Sequence, residues 1–152
     1  MTIYGSYKPP IEKMLLQDLK AILTKDGYIN TKLVEDRQRA NDSALEISQQ
    51  CMLFSDINLL IFTKRGRRHG VIDEVGFLTV DPRMVDKIPF SKVFYEVTTE
   101  RSSALPALTS DRVMKYSVPA SEFRSIKELK SNIARQTYWI LHRWITKQGG
   151  QI

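Results

Sequence analysis

Cysteine is nearly absent from this 152-residue sequence, in which Cys51 is the only one. One thiol cannot form an intramolecular disulfide, so the fold has to be held together by its hydrophobic core. No N-terminal stretch joins a basic start to a long apolar run, and no apolar run is long enough for a membrane span. These absences predict a protein of the cytoplasm, either a cell's own or a host cell's, or of a virion.

The motifs of well-known enzyme classes are also missing. The sequence has no Gly-rich phosphate loop, nucleophile elbow, Cys–His arrangement or zinc pattern. His69 and His142 have no Cys or carboxylate at metal-ligand spacing. Cys51 stands among apolar residues, where a lone thiol is usually part of the core rather than a nucleophile. The sequence therefore indicates no cofactor, and it favours a protein without catalytic activity.

Acidic residues are scarce in the last third of the chain. Residues 1–100 carry 14 Lys or Arg and 14 Asp or Glu, whereas residues 101–152 carry 9 basic groups and only 3 acidic ones. All of the formal net charge of +6 therefore lies in the last third. Such asymmetry indicates a polyanionic partner, which is nucleic acid, an acidic protein surface or an anionic membrane. The alternative is a basic surface that only keeps the protein soluble.

What is present predicts a single domain over residues 1–152. The chain is 42% hydrophobic and 26% charged, a composition typical of a globular protein, and its length allows a core of its own. Helical and strand patterns both occur along it. The expected fold class is α+β (or α/β).

Helical periodicity occurs in three segments. The first begins at the two prolines of positions 9 and 10 and ends near Gly27, with apolar residues at three- and four-residue steps. The second runs from Asp42, a suitable N-cap, to Phe54. The third covers residues 121–147 and has a capping-box pattern near its start. Two or three helices are expected, of which the C-terminal one is long and amphipathic.

Strand patterns occur between these helices. Residues 57–63 and 71–80 are apolar and β-branched, and they flank a basic connection that contains glycine, which predicts a β-hairpin. Residues 92–99 predict a third strand, and residues 113–118 a further one inside an irregular connection that contains proline. The sequence thus predicts a small mixed sheet of three to four strands, including one hairpin, with helices on parts of both sides.

The densest basic cluster is the predicted hairpin connection, residues 64–70. Its candidate binding side chains are Lys64, Arg65, Arg67, Arg68 and His69. Guanidinium groups bind phosphate oxygens in pairs, and the glycines of this segment allow a ligand to approach the backbone closely. The alternative is a solvated tip that prevents edge-to-edge association of sheets.

A second candidate surface lies on the outward side of the predicted last helix. Trp139 is one helical turn from both Arg135 and Arg143. A Trp between two guanidinium groups suits stacking on a base or docking into a pocket of a partner. The alternative is that Trp139 packs under another part of this chain, since Trp is mostly buried in proteins.

A third set of residues resembles a catalytic core. Asp73 in the stretch VIDEV, followed by Glu96 in VFYEVT, resembles the acidic positions of the restriction-endonuclease-like nucleases, written PD-(D/E)xK. The resemblance implies that Asp73 and Glu96 bind Mg²⁺, with Glu46 or Glu35 as the upstream acid. At the position of the lysine of that family stands Thr98, which supplies neither its charge nor its proton. Solvent-facing carboxylates on strands are the alternative interpretation.

These observations predict a non-catalytic interaction module of a larger assembly. It would bind nucleic acid or an acidic protein partner through the basic hairpin loop and the outer face of the C-terminal helix. One alternative is a structural subunit of a virion, secretion or mobile-element assembly that makes protein–protein contacts only. The other is a divergent metal-dependent nuclease, the only interpretation that requires Mg²⁺.

Overall fold

The structure is a computed structural model that describes residues 1–99 and 102–149. Strands and helices alternate along it, in the order β1 (Thr2–Tyr4), α1 (Pro10–Lys25), β2 (Lys32–Leu33), α2 (Ala44–Phe54), β3 (Asn58–Phe62), α3 (His69–Val80), β4 (Ser91–Thr99), β5 (Ser102–Ser103), α4 (Ala107–Lys115), β6 (Ala120–Phe123) and α5 (Ile126–Gly149). Two 3-10 helices, Val34–Arg37 and Pro82–Phe90, precede α2 and β4.

Five of the strands form one parallel sheet in the order β2-β1-β3-β4-β6. The two-residue β5 pairs antiparallel with the end of β4. Among the parallel strands alone the order is 2-1-3-4-5, which is a common doubly wound arrangement. The order reverses between β1 and β3, so the switch point of the topology lies between these two central strands.

Helices cover both faces of the sheet. Leu59 and Ile61 of β3 pack in a core with α1 and α5, whereas Leu60 and Phe62 pack in a second core with α2, α3 and α4. Successive side chains of a strand point to opposite faces, so a strand covered on both sides carries apolar residues without alternation. All five residues of β3 are buried, which explains why its sequence is a nearly continuous apolar run.

The predicted hairpin is wrong. Residues 71–80 belong to helix α3, and β3 pairs with the parallel strands β1 and β4 instead. Val71, Val75 and Leu78 are buried on one side of α3, but their β-branched neighbours hid this helical spacing in the sequence. Neighbouring parallel strands need a crossover, usually a helix. The basic residues 64–70 are therefore a strand-to-helix connection.

The predicted number of strands is also too small. Residues 113–118 are not a strand, since they span the end of α4 and the turn after it. Strands β1, β2 and β6 were not predicted, because at two to four residues each they are too short to show an alternating pattern. Even so, all three residues of β1 are buried, and it occupies an inner position of the sheet.

The mixed α/β character and the long C-terminal helix are confirmed. α1 and α2 also form where periodicity predicted them, although Ser43 rather than Asp42 is the N-cap of α2. α5 begins five residues later than expected because residues 120–123 form β6. Within the described ranges, no helix is long and apolar enough to cross a membrane.

Candidate ligand site at the carboxyl edge

The carboxyl ends of β1, β3 and β4 meet at one edge of the sheet, here called the carboxyl edge. α1 follows β1 on one face and α3 follows β3 on the other, so the connections after these neighbouring strands diverge. Doubly wound proteins bind ligands in the crevice outside the carboxyl ends at such a switch point. Residues 64–70, here called the basic segment, directly follow β3 and therefore lie at this position.

Ser6 ties the connections after β1 and β3 together. Its hydroxyl accepts hydrogen bonds from the backbone amides of Lys8 at 3.2 Å and Arg67 at 2.9 Å, and it donates to the Lys8 carbonyl at 2.7 Å. The Arg67 amide also donates to the Lys8 carbonyl, at 3.1 Å. The backbone of the basic segment is thus fixed over the end of β1.

A second group of contacts fixes the same segment against α1. The Thr63 hydroxyl donates to Glu12 Oε2 at 2.5 Å and accepts from the Gly66 amide at 3.0 Å. Glu12 and Thr63 are both buried. A Cβ atom at Gly66 would lie 2.8 Å from both Ser6 Cβ and Thr63 Oγ1, closer than real Cβ contacts allow. The basic segment is therefore built into the fold and is not a solvated hairpin tip.

Two of the basic side chains in the segment are anchored by neighbouring elements. The Lys64 amide donates to Glu96 Oε2 at 2.8 Å, and Lys64 Nζ donates to Thr98 Oγ1 at 2.5 Å. Arg68 Nη1 donates to the Ala104 carbonyl at 3.0 Å. Lys64 and Arg68 thus join the basic segment to β4 and to the residues that precede α4.

The other basic side chains of the segment face solvent. Arg65 and Arg67 are exposed and have no side-chain partner among the residues that the structure describes. His69 is also exposed and begins α3, whose first turn has no side-chain cap. Unpaired amides at the start of a helix attract anions. Two guanidinium groups next to such a helix start make this part of the carboxyl edge suitable for phosphate.

A cavity of about 490 Å³ lies beside Arg65, between α1 and the start of α5. Its apolar walls are Ile11, Met14, Leu15 and Ile126, and its polar lining is Glu12, Asp18, Lys64, Arg65, Glu96, Thr98 and Lys130. Lys130 and Asp18 form an ion pair at 2.7 Å. Because the lining holds both signs of charge and an apolar wall, it fits an organic group with hydroxyls better than a bare polyanion.

Glu74, in the second turn of α3, carries a buried carboxyl group on the other face of the sheet. The Ser48 hydroxyl donates to its Oε1 at 2.5 Å, whereas its Oε2 has no hydrogen-bond partner among the described residues. Burial raises the pKa of Glu74 to about 8; the Ser48 hydrogen bond opposes this rise, and the charge of Asp73 adds to it. Glu74 is therefore mostly protonated at neutral pH and can act as a proton donor.

Two tyrosines at the end of β1 lie within electrostatic range of Glu74. Burial raises the pKa of Tyr7 to about 12, and its hydroxyl accepts from the Glu35 amide at 3.4 Å. The Tyr4 hydroxyl donates to Asn58 Oδ1 at 2.9 Å, and its pKa is raised by burial and then by Glu74. Glu74 therefore acts on these two tyrosines through its charge, while their hydroxyl groups are hydrogen-bonded to Asn58 and to the Glu35 amide.

Sequence reasoning missed Glu74 because it treated residues 71–80 as a strand. With a helical period, Glu74 falls on the same side as Val71, Val75 and Leu78. An acidic residue on the apolar side of a helix is the signal that identifies it. The strand interpretation selected the neighbouring Asp73 as the acidic candidate instead, and Asp73 is exposed in the structure.

The residues of the nuclease resemblance do not come together. Asp73 lines a groove with residues of α2 and α4, whereas Glu96 lines the cavity on the opposite face of the sheet. Glu46 is exposed on α2, and Glu35 forms an ion pair with Lys13 at 3.0 Å. In the part of the chain that the structure describes, no three His, Cys, Asp or Glu side chains are grouped to hold a metal ion.

The candidate residues of the last helix lie near the opposite edge of the sheet. α5 starts at the cavity with Ile126, and farther along Arg143 Nη1 donates at 3.3 Å to the carbonyl of Pro89, just before β4 begins. Trp139 is about 20 Å from Ile126 along the helix axis. It is 62% exposed, so it is not packed under another element. Arg135 is also exposed. The two basic surfaces that the sequence suggested are therefore separate.

Comparison of the chain with protein-family models, with curated proteins and with solved structures finds no match. The carboxyl edge and its surroundings comprise a fixed basic segment with two exposed guanidinium groups, a cavity of mixed polarity beside it, and the buried carboxyl group of Glu74 in the second turn of α3.

Proposed function

We propose that this chain binds a small phosphorylated organic molecule, such as a nucleotide, at its carboxyl edge. The observation that carries the proposal is the position of Arg65 and Arg67, exposed on a segment that is fixed at the switch point of a doubly wound sheet. Their guanidinium groups bind phosphate oxygens through paired hydrogen bonds. The uncapped first turn of α3 adds backbone amides that favour the same charge.

The cavity beside Arg65 favours a small molecule over a nucleic-acid strand at this site. Its volume of about 490 Å³ lies within the range of small-molecule pockets. Ile11, Met14 and Ile126 offer an apolar wall for a base or another flat group, and the carboxylates of Glu96 and Asp18 can accept hydrogen bonds from sugar hydroxyls. The site thus has two halves. Arg65 and Arg67 would bind the phosphate of the ligand, and the cavity would bind its organic group.

Isothermal titration calorimetry with three probes tests this proposal. ATP, inorganic pyrophosphate and adenosine are titrated into the wild-type protein and into the double variant Arg65→Ser/Arg67→Ser. ATP is expected to bind the wild type more tightly than pyrophosphate or adenosine, because it uses both halves of the site. The double variant is expected to lose at least about tenfold in affinity for ATP, since a hydrogen bond to a charged group contributes roughly 1.5–3 kcal/mol.

The matched control is Arg135→Ser/Arg143→Ser, which makes the same change of charge at the other end of the molecule. This control should bind ATP like the wild type. Equal losses in both double variants would mean that only overall charge attracts the nucleotide. Absence of ATP binding to the wild type would refute the proposal.

A second candidate function, acid–base catalysis on the bound molecule, is favoured by one observation. Burial raises the pKa of Glu74 to about 8, and its Oε2 has no hydrogen-bond partner among the described residues; strongly shifted groups of this kind are common at catalytic sites. Glu74 lies in the second turn of α3, the helix that directly follows the basic segment. The proton of Glu74 would be transferred to a leaving group of the ligand on the α3 side of the sheet, opposite the cavity, and would be recovered from water.

This candidate is tested by following a panel of nucleotides by ³¹P and ¹H NMR in the presence of the protein. The wild type is expected to convert at least one of them, and Glu74→Gln is expected to bind that nucleotide without converting it. Asp73→Asn, at the exposed neighbouring position, should keep the activity. The absence of conversion by the wild type, or full activity in Glu74→Gln, would exclude the catalytic role of Glu74.

A further inference from the structure

The outward side of α5 carries aromatic and basic side chains that are exposed among the residues that the structure describes. Trp139 is 62% exposed and Tyr138 is 52% exposed, although large aromatic side chains are mostly buried. The two rings meet edge to face, with centroids 5.9 Å apart and planes at 71°. The imidazole of His142 lies next to Tyr138, at 6.2 Å between centroids. The rings therefore form one ordered aromatic group on the surface.

Basic groups lie along the same side of the helix toward its C-terminus. Trp139, His142, Arg143, Thr146 and Lys147 line a shallow depression of about 600 Å³, here called the α5 outer surface. Arg143 is held by the Pro89 carbonyl, and the Lys147 ammonium lies 5.2 Å from the centroid of the Phe90 ring. These contacts place both positive charges where α5 meets the 3-10 helix Pro82–Phe90, at the margin of the α5 outer surface.

Negative charge is missing from this part of the helix. Glu128 is the only acidic residue of α5, and no Asp or Glu follows it in the sequence. A second copy of the chain would bring the same positive charges against this surface, so self-association through it is disfavoured by repulsion. Charge complementarity favours an anionic ligand. The exposed rings favour a ligand with flat groups that can stack on them.

We infer that the α5 outer surface binds single-stranded nucleic acid. Bases stack on Trp139 and Tyr138, while Arg143, Lys147 and Arg135 contact phosphates on either side of them. Arg135, Trp139, Arg143 and Lys147 follow one another at four-residue steps, about 6 Å apart along the helix axis. Alternation of cationic and aromatic groups along a line is how proteins bind single strands without reading their sequence. This site is independent of the carboxyl edge, about 20 Å away along α5.

Fluorescence anisotropy of a labelled oligothymidylate tests the inference. The wild type is expected to bind it, Trp139→Ala to lose about tenfold in affinity, and Trp139→Phe to retain most of the affinity, because stacking on one ring contributes roughly 1–3 kcal/mol. Arg143→Ser/Lys147→Ser should also weaken binding and reduce its dependence on salt. A duplex of the same length is expected to bind more weakly, since its bases are already stacked.

The control is Lys25→Ser/Lys32→Ser, which removes two exposed positive charges outside both proposed sites and should bind the oligonucleotide like the wild type. Four results would overturn the inference: no binding to the wild type, unchanged binding to Trp139→Ala, an equal loss in the Lys25/Lys32 control, or effective competition by a polyglutamate peptide. The last result would identify an acidic protein segment as the partner. Because Trp139 is exposed, its variants should have the unfolding temperature of the wild type. A lower unfolding temperature for Trp139→Phe would show that the indole ring has a structural role.

Discussion

At the scale of single residues, Glu74 links stability to the candidate chemistry. A carboxylate loses its hydration when it is buried, so burial favours the protonated form and raises the pKa to about 8 from an ordinary value of 4.5. Between these two values the folded protein holds a proton that the unfolded chain has released. The contribution of Glu74 to the free energy of unfolding therefore decreases as the pH rises through this interval. The decrease ends above the pKa that Glu74 has in the folded protein.

Glu74→Gln should remove this pH dependence. The amide oxygen of Gln can still accept the Ser48 hydroxyl, but the side chain cannot ionise. Urea unfolding measured between about pH 5 and pH 8 should show that the wild type loses stability relative to Glu74→Gln. The expected difference in slope approaches about 1.4 kcal/mol per pH unit for one proton.

Asp73→Asn is the control for this measurement, because Asp73 is the exposed neighbour of Glu74. Its unfolding free energy should follow the pH dependence of the wild type closely. Parallel curves for the wild type and Glu74→Gln would show that Glu74 is ionised in the folded protein. The protonated carboxyl group that the catalytic candidate needs would then be absent.

At the scale of secondary-structure elements, the connection between β3 and α3 determines where the ligand would bind. At Gly66 this connection passes close to Ser6 and Thr63. Gly66→Ala is expected to lower the free energy of unfolding by about 1–3 kcal/mol, as overpacking does elsewhere. Urea unfolding measures this loss, and calorimetry should show weaker ATP binding because the arginines on the segment shift.

Gly70→Ala serves as the matched comparison within the same segment. Nothing lies within 4 Å of a Cβ atom at Gly70, and the residue is in the first turn of α3. The substitution should leave ATP binding unchanged and raise stability by about 0.5 kcal/mol through the lower entropy of the unfolded chain. If the two alanine variants behaved alike, the tight contacts of Gly66 would have no energetic consequence.

The elements that could be predicted from the sequence are those in which the buried residues recur with the period of the secondary structure. α1 and α5 bury one side and expose the other, so their apolar residues recur at helical spacing. α3 packs in the second core and is apolar on most of its surface, and its β-branched residues therefore resembled a strand. β1 and β6 were not predictable, because their three and four residues become strands only through pairing with β3 and β4.

The sequence allowed most residues of the candidate site to be identified, but not their positions relative to one another in the fold. The basic residues of the segment 64–70 were identified from the sequence, yet their position at the switch point depends on strand order, which requires knowledge of the whole sheet. The burial of Glu74 was likewise not predictable, because its side chain faces the core only when residues 69–80 form a helix. The exposure of Trp139 likewise depends on which elements pack against α5, and among the described residues none covers this ring.

At the scale of the whole molecule, the basic charge is divided between two surfaces. The basic segment lies at the carboxyl edge, while the charges of the last helix extend toward the opposite edge of the sheet. The first surface stands beside a cavity, and the second is open and aromatic. The two proposals, a small phosphorylated molecule at the first surface and a nucleic-acid strand at the second, are therefore compatible with simultaneous binding. A structural subunit that makes only protein contacts, the alternative from the sequence, would bind neither.

Backbone amide NMR spectra recorded during an ATP titration would locate the nucleotide on the molecule. Shift changes are expected to cluster at residues 5–8, 63–68 and 96–98, at the ends of β1, β3 and β4, with residues 138–147 unaffected. The same changes should be absent in Arg65→Ser/Arg67→Ser. Shift changes confined to residues 138–147, or none at saturating ATP, would contradict a nucleotide site at the carboxyl edge.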